Sequence, residues 1–376
     1  MHRRAIHTLP ALPALSALPT LPALPALLAL PALLALLAAA PAAARTGQAS
    51  PTVAVFSPDA RLVAAQNDRT IHVWDRATGK LRATVDSDRM FRGAVVSDAL
   101  ITVITGGVVV RRGAGYAQQV RLPVPKVLSW GRAILSADGR TAAALYPRNG
   151  GVGDPDTVGC WDARTGARRA AVTLPRGRAL GAVLSADGTL LAIFGDAPGL
   201  GALLEVHRLA AKRASVRLLS WASARHRTTY SAAWSPDGKR LALGAGEELL
   251  LWDLGGKRAA LAASAPTAAI KAIFPPQLRG PAVRMPGAHQ LAFSPDGKQL
   301  ASLHGLGVVG IARWSVEAAG LTAAAWIKRP RDGGTMRQVI FDDKGALLLV
   351  TSTYAPQVWI HAPRGDRFVT VKVLTP

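Results

Sequence analysis

Short apolar runs alternate with polar turns along the chain, and residues 53–85 show the pattern most clearly. Four runs of strand length lie in this stretch, at residues 53–56, 61–65, 70–75 and 81–85. The third run alternates apolar and polar residues, which is the period of a half-buried strand. The segments between the runs contain proline, aspartate, asparagine or glycine, the residues that favour tight turns. The pattern predicts a four-stranded antiparallel meander.

The turn after the first strand recurs along the chain. Its aspartate returns at intervals of 39 to 59 residues, at Asp59, Asp98, Asp138, Asp187, Asp237, Asp296 and Asp343. One small sheet repeated at such a period predicts a radial array, because a single sheet of this size cannot bury its apolar faces alone. The sequence therefore predicts an all-β fold, a seven-bladed β-propeller of four-stranded antiparallel blades. The count is six if residues 94–122, the weakest repeat, are only a long connection.

Three tryptophans are followed by aspartate at the end of a predicted third strand: Trp74-Asp75, Trp161-Asp162 and Trp252-Asp253. Together with Asp68, in the turn before the third strand, they resemble the repeat of the WD40 family of β-propellers. Trp314-Ser315 and Trp359-Ile360 resemble degenerate copies of the dipeptide. The resemblance implies a rigid array that presents a binding surface. The Gly-His pair that precedes the first strand in the family is absent, so we expect its buried hydrogen-bond tetrad to be incomplete.

Residues 1–44 are predicted to be a signal peptide that is separate from the repeats. Two arginines stand near its start, an apolar run without proline follows at residues 32–40, and small residues precede a cleavage site near Ala44. This layout is typical of a bacterial secretory signal and predicts a periplasmic or extracellular protein. Residues 45–52 then form a short lead, and residues 53–376 form a single propeller domain. Because the lead is a poor strand candidate, we expect the ring to close by packing between its first and last blades.

The chain is strongly basic, with 45 Lys and Arg against 23 Asp and Glu and a formal net charge of +22. Such a charge attracts anionic partners, including nucleic acid, acidic glycans and anionic membrane surfaces. An excess of arginine also follows from the composition of a GC-rich genome, so both origins of the charge stay open. The one cysteine, Cys160, lies on a predicted strand. We expect it to be a small buried side chain, and it has no partner for an intramolecular disulfide.

The predicted binding surface is the propeller face that carries the links between blades and the turns between second and third strands. The long insertions of the chain fall on this face, whereas the other turns are short, and irregular loops on a rigid scaffold are where binding is usually located. Arginine suits phosphate or carboxylate recognition because its donors form a fork. The candidate binding residues are arginines of the links and two tryptophans in or beside them: Arg89, Arg92, Arg176, Arg178, Trp221, Arg225, Arg227, Trp326, Arg329 and Arg331.

Three functions are compatible with these features. The first is a monomeric, non-catalytic scaffold that binds a protein or peptide, or an anionic polymer, on the link-rich face. The second is a propeller enzyme similar to a lactonase or a quinone-dependent dehydrogenase, which would need carboxylates or metal ligands at the channel. The third is a nonspecific polyanion binder. The chain has no nucleophile elbow, P-loop or His-Glu-x-x-His motif, so the sequence predicts no catalytic residue, metal or cofactor.

Overall fold

The computed structural model describes residues 54–67, 69–87, 93–96, 98–104, 107–124, 133–146, 156–174, 177–210, 215–256, 260–265, 287–304, 310–317, 320–330, 335–352 and 357–375. The chain divides into two compact units, residues 1–48 and 49–376, and all described residues lie in the second. They form 28 β-strands and one short 3-10 helix, Ala114–Tyr116. The signal peptide and the lead expected at residues 1–52 lie outside the described residues, so these boundaries stay predictions.

The strands are grouped four at a time, and neighbouring strands within a group are antiparallel and consecutive in the chain. Meander 1 contains β1 (Ala54–Phe56), β2 (Leu62–Asn67), β3 (Thr70–Asp75) and β4 (Leu81–Asp86). Meander 2, the weakest repeat of the sequence, contains β5 (Ala94–Val96), β6 (Ala99–Ile104), β7 (Gly107–Arg112) and β8 (Gln118–Leu122). Meander 3 contains β9 (Ala133–Leu135), β10 (Thr141–Tyr146), β11 (Thr157–Asp162) and β12 (Arg168–Thr173).

The second half of the chain repeats this arrangement. Meander 4 contains β13 (Arg178–Leu184), β14 (Leu190–Ala197), β15 (Gly201–Leu209) and β16 (Ser215–Ser223). Meander 5 contains β17 (Thr229–Trp234), β18 (Arg240–Ala245), β19 (Glu248–Asp253) and β20 (Ala260–Ala265). Meander 6 contains β21 (Ala288–Phe293), β22 (Gln299–His304), β23 (Gly310–Glu317) and β24 (Gly320–Lys328). Meander 7 contains β25 (Thr335–Phe341), β26 (Leu347–Ser352), β27 (Val358–Arg364) and β28 (Arg367–Leu374).

The meanders are combined into six sheets. Meanders 1 to 5 are each a separate four-stranded sheet, and meanders 6 and 7 share one eight-stranded sheet. The strand pairing that joins meanders 6 and 7 into one sheet is a single parallel residue pair, Lys328 with Arg367, between β24 and β28. The described part of the chain is thus an all-β fold of four-stranded antiparallel meanders, as the hydrophobic pattern predicts.

The recurring first turn is closed by the same local hydrogen bonds in most meanders. In meander 5, Ser235 Oγ donates to Asp237 Oδ1 at 2.6 Å and accepts from the backbone amide of Arg240 at 2.9 Å. The serines at the equivalent position of other meanders bond to their aspartates in the same way: Ser57, Ser136, Ser185 and Ser294. Because these bonds span at most five residues, the Ser-x-Asp string specifies the turn locally.

A β-bulge marks the position of the Trp-Asp tryptophans. In six meanders, the register between third and fourth strands shifts immediately before one residue: Trp74, Trp161, His207, Trp252, Trp314 and His361. His207 therefore takes the tryptophan position in meander 4, and Trp314 takes it in meander 6. The sequence suggests Trp359 as a degenerate copy of the Trp-Asp tryptophan. Trp359 lies two residues before His361, the residue at which the register of meander 7 shifts, and it pairs with Thr351 on β26. The register thus separates Trp359 from the other tryptophans.

The described residues form seven apolar clusters. Six lie between meanders that are consecutive in the chain, and the seventh lies between meanders 1 and 7. The cluster between the first and last meanders joins Phe56 and Trp74 to Val350 and Leu374. Hydrogen bonds accompany this cluster. Trp74 Nε1 donates to the carbonyl of Thr375 at 3.1 Å, and the amide of Phe56 donates to Gln338 Oε1 at 2.5 Å. The two ends of the described chain therefore pack directly against each other.

Candidate functional site

The turns of the meanders emerge at two opposite faces. The link between meanders 4 and 5 contacts two turns that join second to third strands: the amide of Ala202 donates to the carbonyl of His226 at 2.7 Å, and that of Gly246 to Thr228 at 2.9 Å. We call this side the link face. On the other side, Arg76 Nε in a third-to-fourth-strand turn donates to the carbonyl of Ala60 in a first turn, at 2.6 Å. We call this side the turn face.

The described residues include six of the ten candidate binding residues. Asp68, predicted to be the turn aspartate of the first repeat, and the remaining four candidates lie outside the described residues: Arg89, Arg92, Arg176 and Arg331. Four of the six described candidates surround the link between meanders 4 and 5: Arg178, Trp221, Arg225 and Arg227. The other two, Trp326 and Arg329, belong to the end of β24 and the link that follows. The structure thus concentrates the described candidates at one link.

Both candidate tryptophans are half-buried. Trp221 packs edge-on against Trp252, with ring centroids 6.0 Å apart, and lies 5.7 Å from the ring of His226. Trp326 packs against the apolar cluster between meanders 5 and 6 and lies 6.2 Å from the ring of His304. Much of each ring is therefore used for packing between neighbouring meanders, which leaves only part of it for a surface contact.

Arg178 forms an ion pair at the start of β13. Its Nε donates to Asp196 Oδ1 at 2.8 Å and its Nη2 to Asp196 Oδ2 at 3.3 Å. The hydroxyl of Thr228 donates to the same carboxylate at 3.0 Å, so the contact fixes the link to the end of β14. A forked pair of this kind is geometrically specific, but it neutralises the charge that Arg178 would offer to a ligand.

Arg225 is exposed and bonds to a buried polar pair, His226 and Glu248. Its guanidinium bonds to Glu248 Oε1, while His226 Nε2 donates to Glu248 Oε2 at 3.1 Å and His226 Nδ1 lies 2.9 Å from Ser223 Oγ. His226 and Glu248 are 7% and 9% exposed. Buried polar groups need such partners, because an unpaired one loses its hydration without compensation.

The His226–Glu248 pair is a feature that the sequence did not predict. No Gly-His pair precedes a first strand, yet His226 lies three residues before β17 and bonds to an acid at the start of β19. A Gly-His pattern does not reveal this pair, because Arg225 stands before His226 and the acid is a glutamate. A search for any histidine just before a predicted first strand would have found it.

Arg227 is the exposed cation of this link. It forms no ion pair or hydrogen bond among the residues that the structure describes. Its side chain lines a cleft of about 580 Å³, together with Gly177, Arg178, Asp196, Ala197 and Pro198. The cleft opens on the link face between meanders 4 and 5.

The Trp-Asp aspartates have a structural role in meanders 1 and 3. The backbone amide of Thr78 and the guanidinium of Arg82 bond to Asp75 and lower its pKa to about 2. Burial alone would raise the pKa of Asp162, but hydrogen bonds from Arg169 and from amides of its turn outweigh this effect and lower the value to about 2. Both carboxylates are therefore ionised anchors of a turn, on the face opposite the candidate binding residues.

Other chemistry is sparse in the described part of the chain. Cys160 is fully buried, and burial raises the pKa of its thiol to about 12, so the thiolate nucleophile is not formed near neutral pH. Among the described residues, no group of three His, Cys, Asp or Glu side chains has the arrangement needed to hold a metal ion. None of the described helical residues form a segment long and apolar enough to span a bilayer.

Comparisons with known proteins point to one fold. The WD40 family model (WD domain, G-beta repeat) matches residues 45–75, which end at the Trp74-Asp75 dipeptide. A chain in "Crystal Structure of Mitotic Checkpoint Complex" is 16% identical, with a TM-score of 0.56 and coverage of 80% of this chain and 83% of that chain. A chain in "Complex of KlAtg21 with coiled-coil of AgAtg16" is 12% identical, with a TM-score of 0.62 and coverage of 88% and 99%. No curated protein sequence matches the chain.

At these identities, the structural similarity shows the fold alone. Together with the family-model match in the first repeat, it supports a WD40-type propeller. The Trp-Asp dipeptides, the recurrent bulge and the meander order agree with this class of protein.

Proposed function

We propose that the chain is a non-catalytic scaffold of the WD40 type that binds a protein partner on its link face. The observation that supports this function most is the link between meanders 4 and 5. Its buried residues, His226 and Thr229, fix the backbone, while Arg225 and Arg227 are exposed. Rigid loops of this kind bind with a small loss of conformational freedom. The two similar structures come from protein complexes by their titles, which favours the same general role.

A protein partner is favoured over an anionic polymer because the charges at this link are largely paired. Arg178 is bonded to Asp196, and Arg225 is bonded to Glu248. A polyanion is held by many unpaired cations along its length, and each ion pair within the protein reduces that attraction.

We further propose a ring of seven blades, one for each meander. Seven apolar clusters support this count, because each is shared by consecutive meanders and one joins meander 1 to meander 7. The single residue pair between β24 and β28 favours counting the eight-stranded sheet as two blades. Export from a bacterial cell, with cleavage near Ala44, is part of the same proposal and is supported by the amino-terminal sequence.

Site-specific photocrosslinking tests the scaffold function. Ala224, an exposed residue of the link, is replaced by p-benzoylphenylalanine, and Arg164, an exposed residue of the turn face, serves as the matched control position. We expect the variant at 224 to crosslink a discrete protein in the envelope fraction of the source organism, with or without nuclease and heparinase treatment. Equal yields from both positions, no crosslinked protein, or loss of the product after enzyme treatment would contradict the function.

A further inference from the structure

The backbone on both sides of Arg227 is fixed by hydrogen bonds. On one side, buried His226 bonds to Ser223 and Glu248. On the other, Thr228 donates to Asp196, and the hydroxyl of Thr229 donates to the carbonyl of Gly195 at 2.9 Å. The exposed guanidinium of Arg227 thus projects from a preorganised segment, which reduces the entropy lost when it binds a ligand.

The opposite wall of the cleft is apolar. Ala197 and Pro198 line it, and the same turn ends in Leu200, whose side chain is 39% exposed. Gly201 holds this turn against the link with a φ of +72°, and a Cβ at that position would lie 2.5 Å from the carbonyl oxygens of His226 and Ser223. The exposed Pro198 and the exposed guanidinium of Arg227 therefore line the same cleft and form a small amphipathic surface.

Among the described residues that line the cleft, the net charge is +1. Arg178 is neutralised by Asp196, which leaves Arg227 as the cation without an acidic partner among the described residues. One unpaired guanidinium beside an apolar wall is complementary to one carboxylate beside an apolar side chain. It offers too few charges for a polymer, whose binding depends on many contacts.

We infer that this cleft is a peptide-binding site for an acidic segment of the partner protein. The guanidinium of Arg227 pairs with an Asp or Glu carboxylate, and the wall formed by Ala197 and Pro198 contacts a neighbouring apolar side chain. This site deepens the scaffold function proposed above, since it names the chemistry of the segment that the link face recognises.

Selection from a random heptapeptide phage library tests the site on the full chain. We expect the selected consensus to contain Asp or Glu next to Leu, Ile or Phe. The synthetic consensus peptide should bind about tenfold or more weakly to Arg227→Glu, because a charge-assisted bond is replaced by repulsion. Arg164→Glu, a matched reversal at an exposed position of the turn face, should leave its affinity unchanged.

A charge-swap experiment completes the test. Changing the acidic residue of the consensus peptide to Lys should restore affinity for Arg227→Glu and abolish it for the unchanged chain. A consensus without an acidic residue, no consensus at all, or equal binding to Arg227→Glu would overturn the site. Heparin retention that depends on Arg227, together with no acidic consensus, would assign the cleft to polyanions instead. Because Ala224 crosslinking leaves Arg227 intact, a partner captured there would preserve the scaffold function even if this peptide site failed.

Discussion

Adjacent residues of one link have opposite roles. His226 is 7% exposed and bonds on both ring nitrogens, whereas Arg227 is exposed and has no partner among the described residues. The difference follows from burial, because a polar group inside the protein must be hydrogen-bonded while an exposed one is satisfied by water. The link therefore separates the residue that stabilises the fold from the residue that is available to a ligand.

Replacement of His226 by alanine should destabilise the protein by about 2–3 kcal/mol, since the buried carboxylate of Glu248 loses a charge-assisted donor. The free energy of unfolding, measured by urea denaturation, checks this value. Arg227→Ala is the matched control and should change that free energy by less than about 0.5 kcal/mol, because its side chain is exposed. Adding Glu248→Gln to His226→Ala should recover part of the loss. Equal stability of the two single variants would show that the buried pair contributes nothing.

At the scale of the element, the Trp-Asp turn and the bulge act together. The bulge leaves one extra residue on the fourth strand, and in meanders 1 and 3 this residue is an arginine, Arg82 or Arg169. Each arginine bonds to the aspartate of its own meander, at 2.6 and 2.8 Å. In meander 5, Asp253 is exposed, and the bond described for it is with the backbone amide of Gly255. The dipeptide of meander 5 thus has a different electrostatic environment from those of meanders 1 and 3.

The lowered carboxylate pKa values predict a loss of stability in acid. Asp75 and Asp162 have a pKa of about 2 in the folded protein, against about 3.9 in an unfolded chain. Their contribution is complete above the unfolded value and is lost as the pH falls from about 4 towards about 2. Urea midpoints between pH 2 and pH 6 should therefore decline less steeply for the Asp75→Asn/Asp162→Asn double variant. Glu317→Gln, at an exposed position, should keep the original slope, and an unaltered slope in the double variant would refute the assignment.

At the scale of the whole molecule, direct packing joins the two ends of the described chain. Besides the apolar cluster of meanders 1 and 7, Lys372 Nζ donates to the carbonyls of Arg76 and Ala77 at 2.8 and 2.6 Å. Meander 7 supplies all four of its own strands, β25–β28, so its sheet does not depend on a strand from the start of the domain. Among the described residues, apolar packing and these hydrogen bonds join meander 1 to meander 7.

Two neighbouring residues of β28 test the importance of this junction. Leu374 is 2% exposed within the cluster that joins meanders 1 and 7, whereas Val373 is 47% exposed. Leu374→Ala should lower the free energy of unfolding by about 2–4 kcal/mol, through lost burial and the cavity that remains. Val373→Ala should change it by less than about 0.5 kcal/mol. Similar urea midpoints for the two variants would mean that the junction does not stabilise the fold.

The sequence predicted the strand pattern well because its signals are local. The Ser-x-Asp turns are closed by bonds between residues two to five positions apart, as at Ser235, Asp237 and Arg240. It was less successful where equivalent positions no longer share a residue type. The strand register places His207 at the position that tryptophan occupies in other meanders, whereas Trp359 lies outside that position. No local sequence motif distinguishes these two cases.

In the candidate site, too, some features follow from local sequence and others depend on tertiary contacts. Arginines of the links could be named from the sequence, and the structure places Arg178, Arg225 and Arg227 around one link. Which of them is neutralised could not be predicted, because Glu248 is 23 residues from Arg225 along the chain and meets it only when the turn of meander 5 lies beside the link. The apolar wall at Ala197 and Pro198 likewise belongs to meander 4, whereas Arg227 belongs to the link that follows this meander.

The sequence by itself determined the repeated turn and the four-strand period, since turn chemistry and strand alternation are properties of neighbouring residues. Only the tertiary structure decided which charges are paired, which histidine is buried and where a cleft remains. Those features arise from contacts between residues that are far apart in the chain, and the free energy of such contacts depends on burial and distance rather than on position in the chain.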